Sequence, residues 1–532
     1  MKLKTIEVAA FPPLAWLAEY GAGDGVVLRH GSLVETGSDY FVEGVWNGSF
    51  ETGRFDQSDC FFGSGGRVDG DVLTIVPSAS TIDYCYYATR AGRTTISNSL
   101  PLILAALDDG LDPACWRYPD INNSILKGIN AYEPHMPTRR GEITRLVYRN
   151  LRLSGSTLSL EDKPLSPHFS QFRDYQAYLA DNYVRIAANA RDTARRHPMQ
   201  IASTQSKGYD STAVNAIAAP HGLDQVFSIA QGKVQGKFAD QDEGIEVDDG
   251  GGEIGAVLGF ECTFIDRRAL RESPQYEHLY YASLHASEDT NLAGINPHIK
   301  GPTLLLIGCL GEITAPWSYY YNYYGRSEER IGDLERADHR GHTMGEVRLS
   351  VGFVTLPFFY IGARQRRDIL NICAKPEMDP WRMNNNYDRP LARRIAEEGG
   401  VPRALFGQQK KATAMVFTPP MQPMGEALRQ EYIDYLDREG VLASWKWTFL
   451  PLVHKLNRLF WFASPRQHRW LYYIQRALTK LKGKPYYFPI IWRHLDGVFY
   501  SFCVNKRAAE YRGMLSSTTD AGRAHAKQGV PA

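Results

Sequence analysis

The chain has 532 residues, of which 43% are hydrophobic and 22% are charged. This length is too great for one ordinary domain, and the composition excludes a disordered, collagen-like or coiled-coil protein. The 60 basic residues balance 59 acidic residues, so the overall charge of +1 does not favour a nucleic-acid-binding protein. We therefore expect an enzyme-sized protein of two or three domains with no specific nucleic-acid partner.

The cysteines and the N-terminus bear on the compartment. Seven cysteines are scattered without a CxxC spacing, which argues against a disulfide framework and a structural zinc site. Glu7 and two prolines interrupt the apolar stretch at the N-terminus, so it makes a poor signal peptide. No apolar run approaches the length of about 18 residues that a transmembrane helix needs. These features predict a cytoplasmic protein.

The first 165 residues are rich in glycine, aromatic residues and short alternating runs. Alternation over residues 39–50, 72–76 and 81–89 predicts strands, and residues 146–153 are predicted as a last strand before a polar linker at 154–167. The sequence therefore predicts an antiparallel, β-rich domain over residues 1–165.

The pattern changes at Phe172, where apolar residues recur at spacings of three and four as far as Ala190. This spacing predicts an amphipathic helix. A strand at 199–204, a helix at 211–219 and a strand at 225–230 follow, and such alternation implies a parallel sheet with helices on both faces. We expect this α/β domain to occupy residues 166–440.

The charge is distributed unevenly along the chain. Residues 441–512 carry a net charge of +11, whereas the residues before Val441 carry −11. Seventeen aromatic residues lie between Trp445 and Arg512. We predict a basic, aromatic, helical extension over 441–515 and a disordered tail over 516–532. The extension could dock against the acidic remainder, bind a protein partner or lie on an anionic membrane surface.

The most informative motif begins at Ser206 and reads Ser-Lys-Gly-Tyr-Asp-Ser-Thr. It follows a strand and opens a helix, where free backbone N–H groups collect an anion. Gly208 allows close backbone approach, and the hydroxyls of Ser206, Ser211 and Thr212 can donate to phosphate oxygens. Asp210 would repel phosphate and is suited to hold Mg²⁺. The alternative is a polar loop in which Asp210 or Ser211 caps the helix.

This stretch resembles the S-G-G-x-D-S pyrophosphate loop of N-type ATP pyrophosphatases, and its surroundings resemble the asparagine synthase family. That family includes asparagine synthetases and β-lactam synthetases, which adenylate a carboxylate and then form an amide. The resemblance implies a parallel-sheet synthetase domain of the PP-loop type, similar to the adenine nucleotide α-hydrolases, with ATP and Mg²⁺ as cofactors. Lys207 departs from the family pattern because it replaces the first glycine of the pair.

A second segment, residues 304–312, is a buried-strand pattern that runs into a glycine-containing turn. It resembles the family's G-x-G-x-D-E stretch, which implies that Glu312 is a Mg²⁺ ligand together with Asp210. Cys309 stands where the family commonly has a Glu or Tyr that assists amine deprotonation. One of the tyrosines after Trp317, or Glu328 or Glu329, could supply this base instead. The alternative is a strand end with a surface glutamate.

A third segment, residues 387–411, contains a basic helix predicted over 390–398 and the paired lysines Lys410 and Lys411. It resembles the loop of the family whose lysine neutralises departing pyrophosphate, and either lysine could have this catalytic role. Paired lysines on an exposed loop are otherwise solvated charge. The adenine is expected against residues 226–230, with Ile229 among the nucleotide-binding residues.

Between these segments lies an acidic run, residues 240–253, with seven carboxylates and four glycines. Such a run could hold Mg²⁺ or an amino group of the substrate. It is more often a solvated, mobile loop.

The first domain resembles the glutaminase-type domain of the family, which implies an Ntn-type αββα fold. Glutamine-using members employ an N-terminal cysteine as nucleophile. Here residue 2 is Lys, and the first cysteine is Cys60, deep in the domain. A thiol nucleophile at the N-terminus is therefore missing, and we expect a degenerate domain without glutaminase activity.

Taken together, the resemblance implies an ATP-dependent, AMP-forming carbon–nitrogen ligase. It would adenylate a small-molecule carboxylate with release of pyrophosphate and pass the acyl group to an amine. The alternative is a non-catalytic nucleotide-binding or scaffold protein derived from the same family, because Lys207 and Cys309 depart from its pattern.

Overall fold

The computed structural model describes most of the chain. The described residues are 1–234 apart from 22, 24 and 116, then 246–283, 289–309, 311–314, 334, 344–413 apart from 386, 425–441, 448, 449, 452, 477, 481 and 491–528.

Within these residues the strands form four sheets. In chain order, β1 to β21 are Leu3–Glu7, Trp16–Gly21, Gly25–His30, Glu35–Thr36, Tyr40–Trp46, Phe61–Asp69, Val72–Val76, Cys85–Arg90, Arg93–Ser97, His135–Thr138, Gly141–Leu146, Asn150–Ser154, Thr157–Glu161, Gln200–Thr204, Gln225–Ser228, Gln231–Val234, Glu246–Asp248, Cys262–Phe264, Thr303–Ile307, Phe353–Pro357 and Lys411–Ala412.

The α-helices of the described residues lie between and after these strands. In chain order, α1 to α11 are Leu100–Ala106, Tyr118–Asn123, Phe172–Ala190, Tyr209–Ala218, Gly252–Leu258, Glu277–Tyr281, Gly345–Val351, Arg366–Ala374, Pro390–Glu398, Glu426–Arg438 and Ile491–Gln528.

The N-terminal region is built from two sheets that pack face to face. One has the order β1-β3-β2-β9-β8-β11-β10, and the other has the order β13-β12-β7-β6-β5-β4. Their pairs are antiparallel except β1 with β3. Between the sheets, the rings of Trp16 and Phe41 lie 5.0 Å apart, and Trp16 Nε1 donates to Ser64 Oγ over 2.9 Å. The prediction of an antiparallel β-rich region is confirmed.

The prediction of a single strand over 146–153 is wrong. β11 ends at Leu146, which pairs with Cys85 of the first sheet, whereas Leu151 of β12 pairs with Ile75 of the second sheet. Tyr148, between them, has a left-handed backbone with φ of 64°. The apolar residues on both sides of this crossing, such as Leu146 and Leu151, are buried because the chain passes from one sheet to the other inside the core. The expected linker also contains β13, which pairs with β12.

The region after residue 166 contains a five-stranded sheet of order β18-β15-β14-β19-β20. All of its pairs are parallel, so the predicted parallel sheet is confirmed. Helix α3 precedes it, and all six apolar positions that defined its period are buried, namely Phe172, Tyr175, Leu179, Tyr183, Ile186 and Ala190. Beside this sheet, β17, β16 and β21 form a small antiparallel sheet.

Helix α11 packs against α1, α2 and α6. Asn505 Oδ1 accepts from the backbone N–H of Leu111 over 2.8 Å, and Tyr511 OH donates to Glu346 Oε2 over 3.0 Å. The part of the basic extension in α11 therefore docks on the rest of the chain. The protein-partner and membrane-surface alternatives for 441–515 stay predictions, because residues 442–447, 450, 451, 453–476, 478–480 and 482–490 lie outside the described residues.

Helix α11 continues as far as Gln528, into the segment where the sequence predicts a disordered tail. No proline occurs between Pro489 and Pro531, so the sequence contains no helix-breaking residue before the chain end. Residues 529–532 lie outside the described residues.

Two findings concern the environment of the chain. None of the helices in the described ranges combines the length and apolar character that a bilayer crossing requires. All seven cysteines fall within the described residues, and none of them forms a disulfide.

Candidate functional site

The predicted phosphate loop connects β14 to α4. Gly208 is the residue before the helix, with an extended backbone at φ −76° and ψ 152°. Its N–H donates to Ser206 Oγ over 3.1 Å, and Ser206 Oγ also lies 3.1 Å from Ser211 Oγ. The two serines and the glycine therefore form one hydrogen-bonded turn at the carboxyl edge of the sheet, where open α/β sheets bind ligands.

Thr212 lies on the inner side of this turn. Its side chain is buried, and its hydroxyl donates to the carbonyl oxygen of Gly208 over 2.7 Å. Gln205 Nε2 donates to the same hydroxyl over 3.1 Å, and Asn215 Nδ2 donates to Gln205 Oε1 over 2.7 Å. Thr212 therefore supports the loop from inside. Sequence reasoning missed Gln205 and Asn215, although a buried polar pair beside an apolar strand is a readable signal.

Asp210 meets the turn that follows β19. Strands β14 and β19 are parallel neighbours, so their carboxyl ends lie side by side. A methyl group added to Gly311 would lie 2.2 Å from Asp210 Oδ1, and one added to Gly308 would lie 3.0 Å from Asp210 Cβ. Both glycines are needed for this close approach. Tertiary structure thus brings the first and second predicted segments together.

Glu312 belongs to the 3₁₀ turn Gly311–Thr314, directly after the glycine that contacts Asp210. Its side chain lies outside the described part of the structure, so the predicted pairing of Glu312 with Asp210 around Mg²⁺ remains a prediction. Within the described side chains, no group of three or more His, Cys, Asp or Glu residues is arranged to hold a metal ion.

The acidic run reaches the loop through its described part, residues 246–253. Lys207 Nζ donates to Asp248 Oδ2 over 2.5 Å and lies 3.2 Å from Glu253 Oε2. The hydrogen bond with Asp248 raises the pKa of Lys207 and lowers that of Asp248. This part of the run is therefore ordered by ion pairs rather than freely solvated, and residues 240–245 lie outside the described residues.

Asp249 contacts the loop more closely. The backbone N–H of Lys207 donates to Asp249 Oδ1 and to the Asp249 carbonyl oxygen, each over 3.2 Å. Burial raises the pKa of Asp249 to about 6, while Lys411 and the Lys207 N–H act in the opposite direction. A carboxylate thus accepts one of the loop's own N–H groups.

The paired lysines point to different places. Strand β21 places Lys411 opposite Val234, and Lys411 Nζ donates to the Asp248 carbonyl oxygen over 2.6 Å. Lys410 Nζ instead lies over the ring of Tyr387, 5.8 Å from its centre. Lys411 is therefore the lysine that faces the acidic run and the loop.

A cavity of about 300 Å³ opens beside these groups. Lys207, Lys411, Asp248 and Glu253 line one side, and residues 404–409 line the other. Gly407 fixes this second wall, because its N–H donates to the Lys207 carbonyl oxygen over 2.8 Å. The cavity is large enough for a polyphosphate and is lined by two ammonium groups.

Tyr209 and Tyr387 stack behind the loop, with ring centres 4.4 Å apart. Burial raises the pKa of both phenols, so each stays neutral. Arg393 Nη2 donates to the Gly407 carbonyl oxygen over 2.8 Å. Helix α9, predicted from the sequence as a basic helix, therefore joins the loop and the cavity wall.

Two other predicted positions lie nearby. Ile229 directly follows β15 and is buried with Ala202 of β14 and Phe227 of β15. Cys309 lies half-buried between the two glycines that contact Asp210. Glu328 and Glu329, alternative bases for the amine, lie outside the described residues.

The N-terminal region has no exposed thiol near its first residues. The Met1 amine donates to the Gly70 carbonyl oxygen over 2.6 Å and lies 3.0 Å from Asp71 Oδ1. Cys60 is buried, with Sγ 3.8 Å from Tyr178 OH, and burial raises the pKa of its thiol well above the ordinary value. Such a thiol is protonated and inert at neutral pH.

Comparison with known proteins adds no identification. No protein-family model matches the chain, and no curated protein matches it either. The functional argument therefore depends on the motifs and on the geometry described above.

Proposed function

We propose that the protein is an ATP-dependent, AMP-forming ligase that adenylates a small-molecule carboxylate and transfers the acyl group to an amine. The observation that carries this proposal is the meeting of separate segments at one sheet edge. These segments are far apart in sequence, yet the glycine turn after β19 contacts Asp210 at the start of α4, and Lys207 of the loop lines one cavity together with Lys411. The same segments carry the resemblance to the asparagine synthase family.

In this proposal the phosphate loop holds the β- and γ-phosphates of ATP. The hydroxyls of Ser206 and Ser211 lie at the turn and can donate to phosphate oxygens after exchanging their mutual hydrogen bond. Gly208 permits close approach, and Thr212 supports the turn from inside. The adenine would contact the end of β15 near Ile229.

The carboxylate of Asp210 fits a hard cation such as Mg²⁺, since it is held in a cradle that a side chain at Gly311 would fill. Mg²⁺ would supply positive charge against the polyphosphate, with Glu312 as the second proposed ligand. Lys411 is the proposed lysine for the departing pyrophosphate, because its Nζ lines the cavity whereas Lys410 lies over Tyr387. Positive charge there stabilises the leaving group as the α-phosphorus is attacked.

The N-terminal region is proposed to be a degenerate glutaminase-type domain of the Ntn class. The two-sheet architecture supports this relation, and the buried, protonated Cys60 supports loss of glutamine hydrolysis. The amine would then come from free ammonia, a cosubstrate or the adenylated molecule itself. We expect no glutamate from glutamine when the purified protein is supplied with ATP and carboxylates, and glutamate formed at the rate of AMP would contradict this.

A second candidate is a nucleotide-binding protein without ligase activity. The observation that favours it is the hydrogen bond from the Lys207 backbone N–H to the Asp249 carboxylate. The proposed catalysis needs this N–H to bind phosphate. This candidate predicts ATP binding without AMP.

The proposal is tested by exchange of labelled pyrophosphate into ATP in the presence of Mg²⁺ and pools of small carboxylates. We expect exchange with at least one pool and a loss of at least about 100-fold in Asp210→Asn, because the carboxylate that would hold the ion is gone. Asp181→Asn, an exposed change on α3, is the matched control and should exchange normally. Exchange that persists in Asp210→Asn contradicts the assignment, and ATP binding without exchange in any pool supports the second candidate.

A further inference from the structure

The groups that would bind a polyphosphate are already paired with carboxylates of the chain itself. Asp249 Oδ1 accepts from the Lys207 backbone N–H over 3.2 Å and lies 3.8 Å from Lys411 Nζ. A loop N–H and a lysine ammonium are the donors that a phosphate oxygen takes at a strand-to-helix turn. The Asp249 carboxylate therefore lies at an anion position of the loop.

The side chain of Lys207 is held in a similar way. Its ammonium lies between Asp248 and Glu253, and its side chain is only 19% exposed, whereas the two carboxylate side chains are 67% and 66% exposed. Carboxylates with that exposure can return to water at little cost, because exposed ion pairs contribute little to stability. The lysine can then remain at the cavity wall while its partners exchange.

The glycines of the acidic segment allow it to lie against the loop. A methyl group added to Gly251 would lie 2.3 Å from Gln205 Cγ, and the Gly251 N–H donates to Ser228 Oγ over 2.9 Å. Gly250 also forms a bridge with Ser206. The backbone of the acidic segment therefore packs against the loop, and this contact holds the carboxylates of the segment close to the loop.

We propose that residues 248–253 are a built-in competitor for the anion site, and that Lys207, next to Lys411 at the same cavity, binds a polyphosphate when it displaces the carboxylates of Asp248 and Glu253. This inference rests on the proposed function in taking the loop as the pyrophosphate site. It makes Lys207 a phosphate-binding residue in its own right. It also predicts that the acidic segment limits the affinity of the loop for anions, since a bound anion must interact with the lysines more strongly than the internal carboxylates do.

Calorimetric titration of the full chain with inorganic pyrophosphate, without nucleotide or Mg²⁺, tests this directly. We expect Asp248→Asn combined with Glu253→Gln to tighten pyrophosphate binding by about fivefold, because two competing exposed charges are removed. We expect Lys207→Gln to weaken it by about tenfold, because a charge-assisted hydrogen bond is lost. Glu261→Gln, exposed beyond the end of α5, should change the affinity less than about twofold.

The proposed competition is contradicted if the double variant binds pyrophosphate no more tightly than the unchanged protein. It is also contradicted if Lys207→Gln binds pyrophosphate as well as the unchanged protein does, or if no variant binds pyrophosphate at all. These results are separate from the ligase test. If the pyrophosphate affinities change as expected but no pyrophosphate exchanges into ATP, only the proposed ligase is contradicted. If exchange occurs but the pyrophosphate affinity is the same in Lys207→Gln and in the double variant as in the unchanged protein, only the competitor is contradicted.

Discussion

Two groups of ion pairs in this protein use the same chemistry in opposite surroundings. Between the two N-terminal sheets and α7, Arg348 donates to Glu43 over 2.9 and 3.1 Å and to Asp83 over 2.7 Å. The side chains of this first group are 2%, 0% and 6% exposed. In the second group, at the phosphate loop, the partners of Lys207 are about two-thirds exposed.

Because of this difference in exposure, the two groups of ion pairs have different roles. The buried group cannot exchange with water, and Glu43 is further held by Ser64 Oγ at 2.5 Å and by Asn98 Nδ2 at 3.3 Å. Removing one buried partner leaves an uncompensated charge, which is expensive. The exposed group loses little when it opens. The first group thus joins two parts of the chain, whereas the second can be exchanged for a ligand.

The largest effect is expected where the buried group is broken. Arg348→Met should lower the free energy of unfolding by about 3–5 kcal/mol, because Glu43 and Asp83 lose their cation in a dry site. Urea unfolding followed by circular dichroism measures this. Lys207→Met is the matched change in the exposed group and should lower stability by less than about 1 kcal/mol. Equal losses in the two variants would contradict the comparison.

A smaller but local effect is expected at the glycine turn. Gly311→Ala should reduce pyrophosphate exchange by at least about 30-fold, because the new methyl group would lie 2.2 Å from Asp210 Oδ1 and force the carboxylate to move. Gly301→Ala is the control, since a methyl group there would meet no atom within 4 Å. Normal exchange in Gly311→Ala would show that the position of Asp210 is not critical.

Lys163 differs from both groups of ion pairs, because it is buried and its Nζ donates to the oxygen of a neutral side chain, Asn150 Oδ1, over 2.7 Å. Burial lowers its pKa from 10.5 to about 7 in the folded protein. An unfolded lysine keeps its proton up to about pH 10, so between pH 7 and 10 the unfolded chain binds more protons and stability rises with pH. Below pH 7 both states are protonated, and the cost of burying the charge is fully present.

Lys163→Met should therefore stabilise the protein by about 2 kcal/mol at pH 7, with a gain that shrinks toward pH 10. Urea unfolding of both proteins across this range gives the difference. Lys375→Met, an exposed lysine, is the control and should show a difference that does not depend on pH. A constant difference for Lys163→Met would show that burial does not lower the pKa of Lys163 and that its amine is charged in both states.

Local patterns predicted much of the architecture. The period of three and four from Phe172 to Ala190 produced a helix with those bounds, and α9 begins and ends at the predicted residues 390 and 398. These segments are predictable because one apolar face and a terminating residue are both local signals. The prediction of one strand over 146–153 is wrong because the spacing of its apolar residues does not reveal that the chain crosses from one sheet to the other.

The candidate site was predicted in part. The motif from Ser206 to Thr212 follows a strand and opens a helix as expected, but only the fold showed that Thr212 faces inward. The contacts of Asp249 and Gln205 with the loop were not predicted. They depend on a residue distant in sequence for Asp249 and on the inner side of the turn for Gln205.

The sequence by itself determined where helices and strands form and which residue types gather at the loop, because these depend on local periodicity and backbone preference. Only the tertiary structure decided which of two adjacent lysines faces the cavity. β21 pairs with β16, and this register directs Lys411 to Asp248 and leaves Lys410 over Tyr387. Lys410 lies just before β21, so the pairing between two distant segments fixes the direction of Lys411 and not that of its neighbour.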